Sequence, residues 1–165
     1  MTERSKEFLK RFLLEHPIRG KVLDVGCRNI NGSVKDILVG HGLEYLGLDM
    51  EYSGHPEELI INAHDIKDHL KEESFDLVIC LDTLEHDDMF WVTVHNMRWV
   101  LKKGGWMLII VPSLHCPIHE WPNDYYRFLP SVLGDVFFKG FEKTYFEVYG
   151  FETDPDAIYG WGQKP

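Results

Sequence analysis

Residues 21–33 read KVLDVGCRNINGS, and this stretch decides the fold. A short apolar run ends at an acid and Gly26, and a polar loop that contains Asn31 follows, which is typical of a strand, a tight turn and the start of a helix. About one helix further on, residues 45–50 read YLGLDM, a second apolar strand that ends in Asp49. A βαβ nucleotide-binding unit has a carboxylate at this place, where it binds ribose hydroxyls. The two stretches together predict a nucleoside site.

The loop after Gly26 distinguishes between nucleoside ligands. A dinucleotide site needs a second glycine two residues later, so that the backbone can approach a pyrophosphate, and Arg28 stands there instead. S-adenosylmethionine has no phosphate, and its methionine carboxylate can lie near the loop, where an arginine can bind it. The loop therefore favours S-adenosylmethionine and argues against an NAD-dependent oxidoreductase.

The composition of the 165-residue chain predicts a single domain over residues 1–165. Hydrophobic residues make up 44% of the chain, as in a folded globular protein, and no apolar run reaches the roughly 20 residues of a membrane span. The net charge of −10 and the lack of a cluster of lysine and arginine argue against nucleic acid as a partner. We expect neither nucleic acid nor membrane to be bound.

The chain begins with an amphipathic helix at about residues 3–15, which ends before Pro17 and serves as a lid or a packing helix. Its alternation of charged and apolar residues differs from a secretory signal, so a cytoplasmic location is expected. The spacing of Cys27, Cys80 and Cys116 fits neither a metal finger nor a redox motif, and reduced thiols are expected.

Strand and helix patterns alternate along the rest of the chain. This alternation predicts an open, doubly wound, mostly parallel α/β sheet that binds ligands at the carboxyl ends of its strands. Further helices are expected at 33–39, at about 90–101 and near 130–138. Strands are expected at residues 21–26, 43–50, 59–61, 75–81, 106–111, 143–149 and 157–162.

Four motifs resemble the class I S-adenosylmethionine-dependent methyltransferases. They are VLDVG at 22–26, AHDI at 63–66, FDLVICLDTLEH at 75–86 and LKKGGWMLIIVPS at 101–113, together with Asp49. The resemblance covers about residues 21–165. It implies a Rossmann-like sheet of seven strands, mostly parallel with an antiparallel last strand. The loop departs from the family pattern at Arg28 and Ile30, where glycines are usual.

The resemblance also implies roles for residues at the strand ends. Asp49 would hold the ribose, Met50 and Ile66 would contact adenine, Asp65 would accept from its amino group, and Asp82 would lie near the sulfonium. Asp24, a buried acid within the first strand, is expected to hydrogen-bond the loop. The full set of expected cofactor-binding residues is Asp24, Gly26, Cys27, Arg28, Asn31, Asp49, Met50, His64, Asp65, Ile66, Leu81 and Asp82.

The loop at residues 114–128 follows the fifth strand and concentrates polar and aromatic groups. It is predicted to line an acceptor pocket, and a plain aromatic cover over the core is the alternative. Candidate bases are His119, His115 and His86, the last of which could instead cap the following helix. The expected acceptor-binding residues are Asp124, Tyr125, Tyr126 and Arg127.

The run HCPIH at residues 115–119 contains residues that can ligate zinc. Pro117 prevents a helical presentation of the two histidines on one face, and no further ligand has a recognisable spacing. We expect no metal site from the sequence.

These features predict S-adenosylmethionine-dependent methyl transfer to a small polar metabolite or a sugar or glycan, at a hydroxyl group. The alternative is a module that binds S-adenosylmethionine without catalysis and serves a regulatory or partner-binding role. The identity of the acceptor and the oligomeric state stay open.

Overall fold

A computed structural model of the chain describes residues 2–29, 32–52, 54, 56–119, 122–151 and 154–165. These residues form one mixed sheet whose strand order is β3-β2-β1-β4-β5-β7-β6. The strands are β1 (Gly20–Val25), β2 (Leu43–Asp49), β3 (Glu58–Ile60), β4 (Phe75–Leu81), β5 (Leu101–Pro112), β6 (Glu142–Phe151) and β7 (Asp154–Gln163).

Strands β1 to β5 pair in parallel, whereas β7 lies between β5 and β6 and runs antiparallel to both. The predicted fold class, a mostly parallel seven-stranded α/β sheet with an antiparallel last strand, is thereby confirmed. The carboxyl ends of the parallel strands meet at one edge of the sheet. That edge is where open α/β sheets bind ligands.

Helices cover both faces of the sheet. They are α1 (Glu3–Glu15), α2 (Lys35–Gly40), α3 (Ile66–His69) and α4 (Phe90–Val100), with a short π-helix at Leu133–Phe137 and 3₁₀ turns at Ala63–Asp65 and Leu84–His86. Side chains alternate across β1, so that Val22 packs on the side of α1 and α2, and Leu23 packs on the side of α3 and α4. Each face of the sheet therefore has its own apolar core.

The amphipathic helix predicted at the start of the chain is α1. Thr2 caps it, because its hydroxyl accepts a hydrogen bond from the backbone N–H of Ser5. Its apolar stripe is buried against the sheet, which makes it a packing helix; the buried residues of this stripe are Phe8, Leu9, Phe12 and Leu13.

Some predicted boundaries were wrong. Strand β5 begins at Leu101 rather than at 106, because Leu101 pairs with Phe75 across a bulge and residues 102–105, which the prediction left between helix and strand, continue the strand. The sequence pattern did not reveal α3, which has only four residues. The helix expected near 130–138 is a five-residue π-helix.

Within the described ranges, no helix combines the length and the hydropathy that a membrane crossing requires.

Candidate functional site

A cavity of about 1080 Å³ opens at the carboxyl edge of the parallel strands. Loops that follow β1 to β5 line it, together with the first residues of α1 and parts of β6 and β7. A volume of this order accommodates a nucleoside-sized cofactor and a second small molecule.

Gly26 lets the end of β1 approach the end of β4. Its φ of +80° is a left-handed conformation, and a Cβ atom placed there would lie 2.2 Å from Oγ1 of Thr83. The N–H groups of Gly26 and Cys27 both donate to the carbonyl of Leu48, at 2.8 and 3.1 Å. The turn after β1 is therefore tied to β2, and its backbone lines the cavity.

Asp49 ends β2 with its carboxylate held by backbone groups. The N–H of Arg28 donates to Oδ2 at 3.0 Å, and the N–H of Glu51 donates to Oδ1 at 3.3 Å. The guanidinium of Arg28 pairs with Glu51 at 2.5 Å, beside Asp49. Met50 is 60% exposed and lines the cavity with these three residues. A carboxylate, a thioether and an ion pair thus gather at one end of the cavity.

Asp24 is a buried acid in the lining of the cavity. The hydroxyl of Tyr45 donates to its Oδ2 at 3.0 Å. Burial raises the pKa of the Asp24 carboxyl to about 7, and the Tyr45 hydrogen bond partly opposes that rise. Burial likewise raises the pKa of the Cys27 thiol. Asp24 is therefore a group whose charge costs stability near neutral pH.

We expect Asp24→Asn to change the pH dependence of stability. An aspartate that titrates near 3.9 when unfolded and near 7 when folded binds more protons in the folded state between these values, so its contribution to stability is lost as pH rises through that window. Between pH 5 and pH 8, urea denaturation should show the variant gaining roughly 3 kcal/mol on the parent, from two pKa units at about 1.4 kcal/mol each.

Asp36→Asn, at an exposed position on α2, is the control for that measurement. A constant difference between parent and Asp24→Asn across this pH range would mean that Asp24 is ionised at both ends of it.

The segment after β3 separates two groups of predicted cofactor residues. His64 lines the cavity with Asn62 and Ala63, whereas exposed Asp65 is absent from the lining and Ile66 is fully buried in the core beside α4. The reason is that β3 ends at Ile60 and a 3₁₀ turn leads into α3, which directs residue 65 outward and residue 66 inward. The geometry does not support the adenine contacts expected of Asp65 and Ile66.

The end of β4 places Leu81 and Asp82 in the lining of the cavity. Asp82 has a φ of +52°, a strained conformation for a residue with a side chain, and such strain is often found at functional sites. Burial raises the pKa of its carboxyl to about 6, with the nearby Glu85 as the second cause.

Glu85, His86 and His119 form a polar cluster on the cavity wall, hereafter the Glu-His-His cluster. Oε1 of Glu85 lies 3.4 Å from Nε2 of His119 and 3.7 Å from Nε2 of His86. The two imidazole rings stand edge to face with centroids 5.1 Å apart. Hydrogen bonding to the buried Glu85 raises the pKa of His119 to about 9. Two of the three predicted bases therefore meet at one buried carboxylate.

The remaining loop residues have structural partners instead. Asp124 accepts two hydrogen bonds from the guanidinium of Arg127 and one from the N–H of His119 at 2.8 Å. Arg127 also donates to the carbonyls of Cys116 and Pro117, and it holds the pKa of Asp124 down to about 2. Neither Asp124 nor Arg127 lines the cavity. This ion pair braces the loop, so their expected contact with the acceptor is not supported.

The other predicted site residues also divide into those that line the cavity and those that do not. Tyr125 lines the cavity, whereas Tyr126 packs on Phe90 and donates its hydroxyl to the carbonyl of Asp88. His115 is exposed and does not line the cavity. Asn31, expected to bind the cofactor, lies outside the described residues.

Several cavity residues were missed by the sequence reasoning. Glu85 is the most consequential, and its position within LEH next to His86 was the available signal. Thr83 lines the cavity opposite Gly26. Arg4, from α1, stacks over the ring of Tyr149 at 3.6 Å at the same cavity, and no sequence pattern linked these two residues.

A family model described as a methyltransferase domain matches residues 1–153. The chain belongs to this family, and with it to the class I S-adenosylmethionine-dependent methyltransferases. The ubiquinone biosynthesis O-methyltransferase of Coxiella burnetii is 32% identical over 100 residues, which are 53% of this chain and 42% of the relative. The chain thus spans less than half the length of the curated relatives that it matches.

Two solved structures share the fold at low identity. An S-adenosylmethionine-dependent methyltransferase from Archaeoglobus fulgidus superposes with a TM-score of 0.80 at 16% identity, over 98% of this chain and 94% of the other. Phosphoethanolamine N-methyltransferase 2 of Haemonchus contortus, in complex with S-adenosylmethionine, gives 0.76 at 16% identity, over 99% of this chain and 52% of the other. The family predicted from the motifs is confirmed.

S-adenosylmethionine is the cofactor that accompanies this family, and the cavity fits it. Asp49 offers both carboxylate oxygens at the edge where a ribose binds, and Gly26 leaves backbone rather than a side chain beside it. S-adenosylmethionine carries no phosphate and needs no phosphate-binding loop, and the cavity lining includes several carboxylates and two arginines, of which Arg28 pairs with Glu51.

Proposed function

We propose that this protein transfers the methyl group of S-adenosylmethionine to a hydroxyl of a small polar molecule, either a metabolite or a sugar. The observation that carries the proposal is one cavity with two chemically different ends. Asp49 and the Gly26 turn form the cofactor end, and the Glu-His-His cluster with Tyr125 forms the acceptor end. Leu81 and Asp82 lie at the carboxyl end of β4, between these two ends.

When bound, S-adenosylmethionine supplies a methyl group on a sulfonium, and its sulfur keeps the bonding electron pair as the methyl group leaves. The protein must hold the acceptor oxygen in line with that bond and help the hydroxyl to lose its proton. We assign the first task to the cavity walls and the second to the Glu-His-His cluster. In this cluster His119, which is protonated near neutral pH because Glu85 raises its pKa to about 9, donates a hydrogen bond to the acceptor oxygen, and His86 takes up the proton. The relative from Coxiella burnetii is named an O-methyltransferase, which supports oxygen as the target atom here.

The cluster also favours an enzyme over a module that only binds the cofactor. Burying a carboxylate that is not fully paired costs free energy, and such costly groups concentrate at catalytic sites; Glu85 is fully buried beside two histidines at the cavity. A binding module gains nothing from this arrangement.

The acidic chain supports a small acceptor rather than a nucleic acid, since phosphate backbones bind basic surfaces. The three cysteines are unpaired thiols, which supports the cytoplasm as location. We also propose that residues 1–165 function as a single domain.

His119→Ala tests the acceptor end. Its turnover with the identified acceptor should fall by about 100-fold or more, the usual contribution of a group that assists proton transfer. Affinity for S-adenosylmethionine should stay within a factor of about two, because we assign this residue to the acceptor end of the cavity. Turnover is measured as S-adenosylhomocysteine release over a panel of phenols, sugars, alcohols, amines and carboxylic acids.

His115→Ala is the matched control, because this histidine is four residues away and does not line the cavity. Equal losses in both variants would place the reaction elsewhere in the loop. Release of S-adenosylhomocysteine with amines alone would contradict the hydroxyl acceptor.

A further inference from the structure

The Glu-His-His cluster has the composition of a cation site. One ligand atom from each of its three side chains lies within 4.8 Å of the other two. Two ligands bound to zinc at about 2.0–2.1 Å in a tetrahedron are about 3.3 Å apart. The distances from Glu85 Oε1 to the two imidazole nitrogens, 3.4 and 3.7 Å, are close to that separation. The spacing therefore leaves room for an ion between the three groups.

The hydrogen bonds on the far side of each ring set the direction of the Nε2 atoms. Nδ1 of His119 lies 3.0 Å from the carbonyl oxygen of Pro117, and Nδ1 of His86 is hydrogen-bonded to the carbonyl of Asn123. A carbonyl only accepts, so Nδ1 carries a proton in both rings. Both Nε2 atoms then face the Glu85 carboxylate. Histidine ligands in metal sites are oriented in this way by carbonyl or carboxylate groups behind them.

Glu85 adds an independent observation. Its side chain has an exposed fraction of 0%, and among the described residues no donor reaches its Oε2 atom. A buried carboxylate needs a cation or several donors to offset the loss of hydration. A proton on Nε2 of His119 supplies one donor, which reaches Oε1 and leaves Oε2 without a partner. A metal ion in place of that proton would engage the carboxylate and both imidazoles together.

We propose that Glu85, His86 and His119 bind a divalent cation of the zinc type at the acceptor end of the cavity. Two imidazole nitrogens and one carboxylate are ligands typical of such ions, and three protein ligands leave a coordination position open. Because all three residues line the cavity, a hydroxyl group of the acceptor could bind the ion at that position and would become more acidic. This role for the ion rests on the proposed function, whereas binding of the ion does not.

A second group of possible ligands, His64, Asp87 and Asp88, carries no such inference. Asp87 already accepts hydrogen bonds from the N–H of Met89 and the hydroxyl of Thr93, and it pairs with His64 at 2.7 Å. These contacts satisfy its carboxylate without an ion. The group serves as a control.

The test is a titration of EDTA-treated protein with Zn²⁺ by calorimetry, without S-adenosylmethionine and without acceptor. One Zn²⁺ per chain should bind, and Co²⁺ should give the visible spectrum of a nitrogen- and oxygen-ligated ion. His119→Ala and His86→Ala should each weaken Zn²⁺ binding by more than about 100-fold, beyond the 10- to 100-fold that loss of an outer partner costs. Glu85→Gln should weaken it similarly, because the amide keeps the shape and removes the charge.

Three controls identify the ligands. His115→Ala and Cys116→Ser test whether the HCPIH run binds zinc by itself, and His64→Ala tests the second group; all three should keep parental affinity. No Zn²⁺ binding, or binding that survives loss of both His86 and His119, overturns the proposal. Circular dichroism of each variant shows whether it is folded. Because His119 is exposed, we expect the His119→Ala variant to fold as the parent does. Because the titration needs no turnover, its failure is distinct from failure of the proposed methyl transfer.

Discussion

Asp49→Ala is expected to weaken binding of S-adenosylmethionine and S-adenosylhomocysteine by more than about 1.5 kcal/mol, which is over ten-fold in affinity. The carboxylate is expected to accept hydrogen bonds from ribose hydroxyls, and such charge-assisted bonds are among the stronger ones. Asp49 also accepts from the backbone N–H groups of Arg28 and Glu51, so its removal loosens the loop that surrounds the cofactor. Calorimetric titration of both ligands measures the effect.

Asp65→Ala is the matched control for this experiment. Sequence reasoning gave both aspartates a cofactor role, yet Asp49 lines the cavity and Asp65 is exposed outside it. The control should bind the cofactor as the parent does. Parental affinity in Asp49→Ala would refute the ribose assignment, and a loss in Asp65→Ala equal to that in Asp49→Ala would restore the adenine contact.

Gly26→Ala is expected to destabilise the fold by about 2–5 kcal/mol. A side chain at φ of +80° costs roughly 1–2 kcal/mol, and a forced contact in a packed site costs typically about 1–3 kcal/mol more. The contact is with Thr83, whose Oγ1 would lie 2.2 Å from the new methyl group. Urea denaturation gives the loss, and cofactor affinity should fall with it because this turn lines the cavity.

Two other glycines separate the components of that loss. Gly104 has a φ of +73°, and a Cβ atom added there would have nothing within 4 Å, so Gly104→Ala carries only the conformational cost. Gly134 lies in the π-helix with neither a positive φ nor a close neighbour, and Gly134→Ala should not destabilise the fold and should stabilise it by up to about 1 kcal/mol. If Gly26→Ala costs no more than Gly104→Ala, then Thr83 moves freely and the close approach of β1 and β4 is not a constraint.

The fold could be predicted because strand ends are marked locally. Apolar runs that stop at an acid or glycine located β1, β2 and β4, and the register of parallel pairing then brings Gly26, Asp49 and Asp82 to one edge. The start of β5 could not be read, since Lys102 to Gly105 is typical of a turn, and only pairing with β4 keeps those residues extended.

The site was predictable only where it follows directly from a strand end. After β3 the chain turns within one residue, so that His64 lines the cavity and the next residue, Asp65, does not. In the loop after β5, Asp124 and Arg127 have the chemistry of ligand-binding residues, but they form an ion pair with each other. Glu85 and His119 are 34 positions apart, and their contact depends on how two loops fold together.

The loop after β5 is attached to the end of β4 through main-chain groups. The carbonyl of Glu85 accepts from the N–H groups of Tyr125 and Tyr126, at 2.8 and 3.3 Å, and the carbonyl of Asn123 binds His86. Main-chain hydrogen bonds survive most changes of side chain. Side chains at positions such as 122, 123 and 125 can therefore diverge through evolution while the loop keeps its anchorage, so that new acceptors can be recruited without altering the half of the protein that binds the methyl donor.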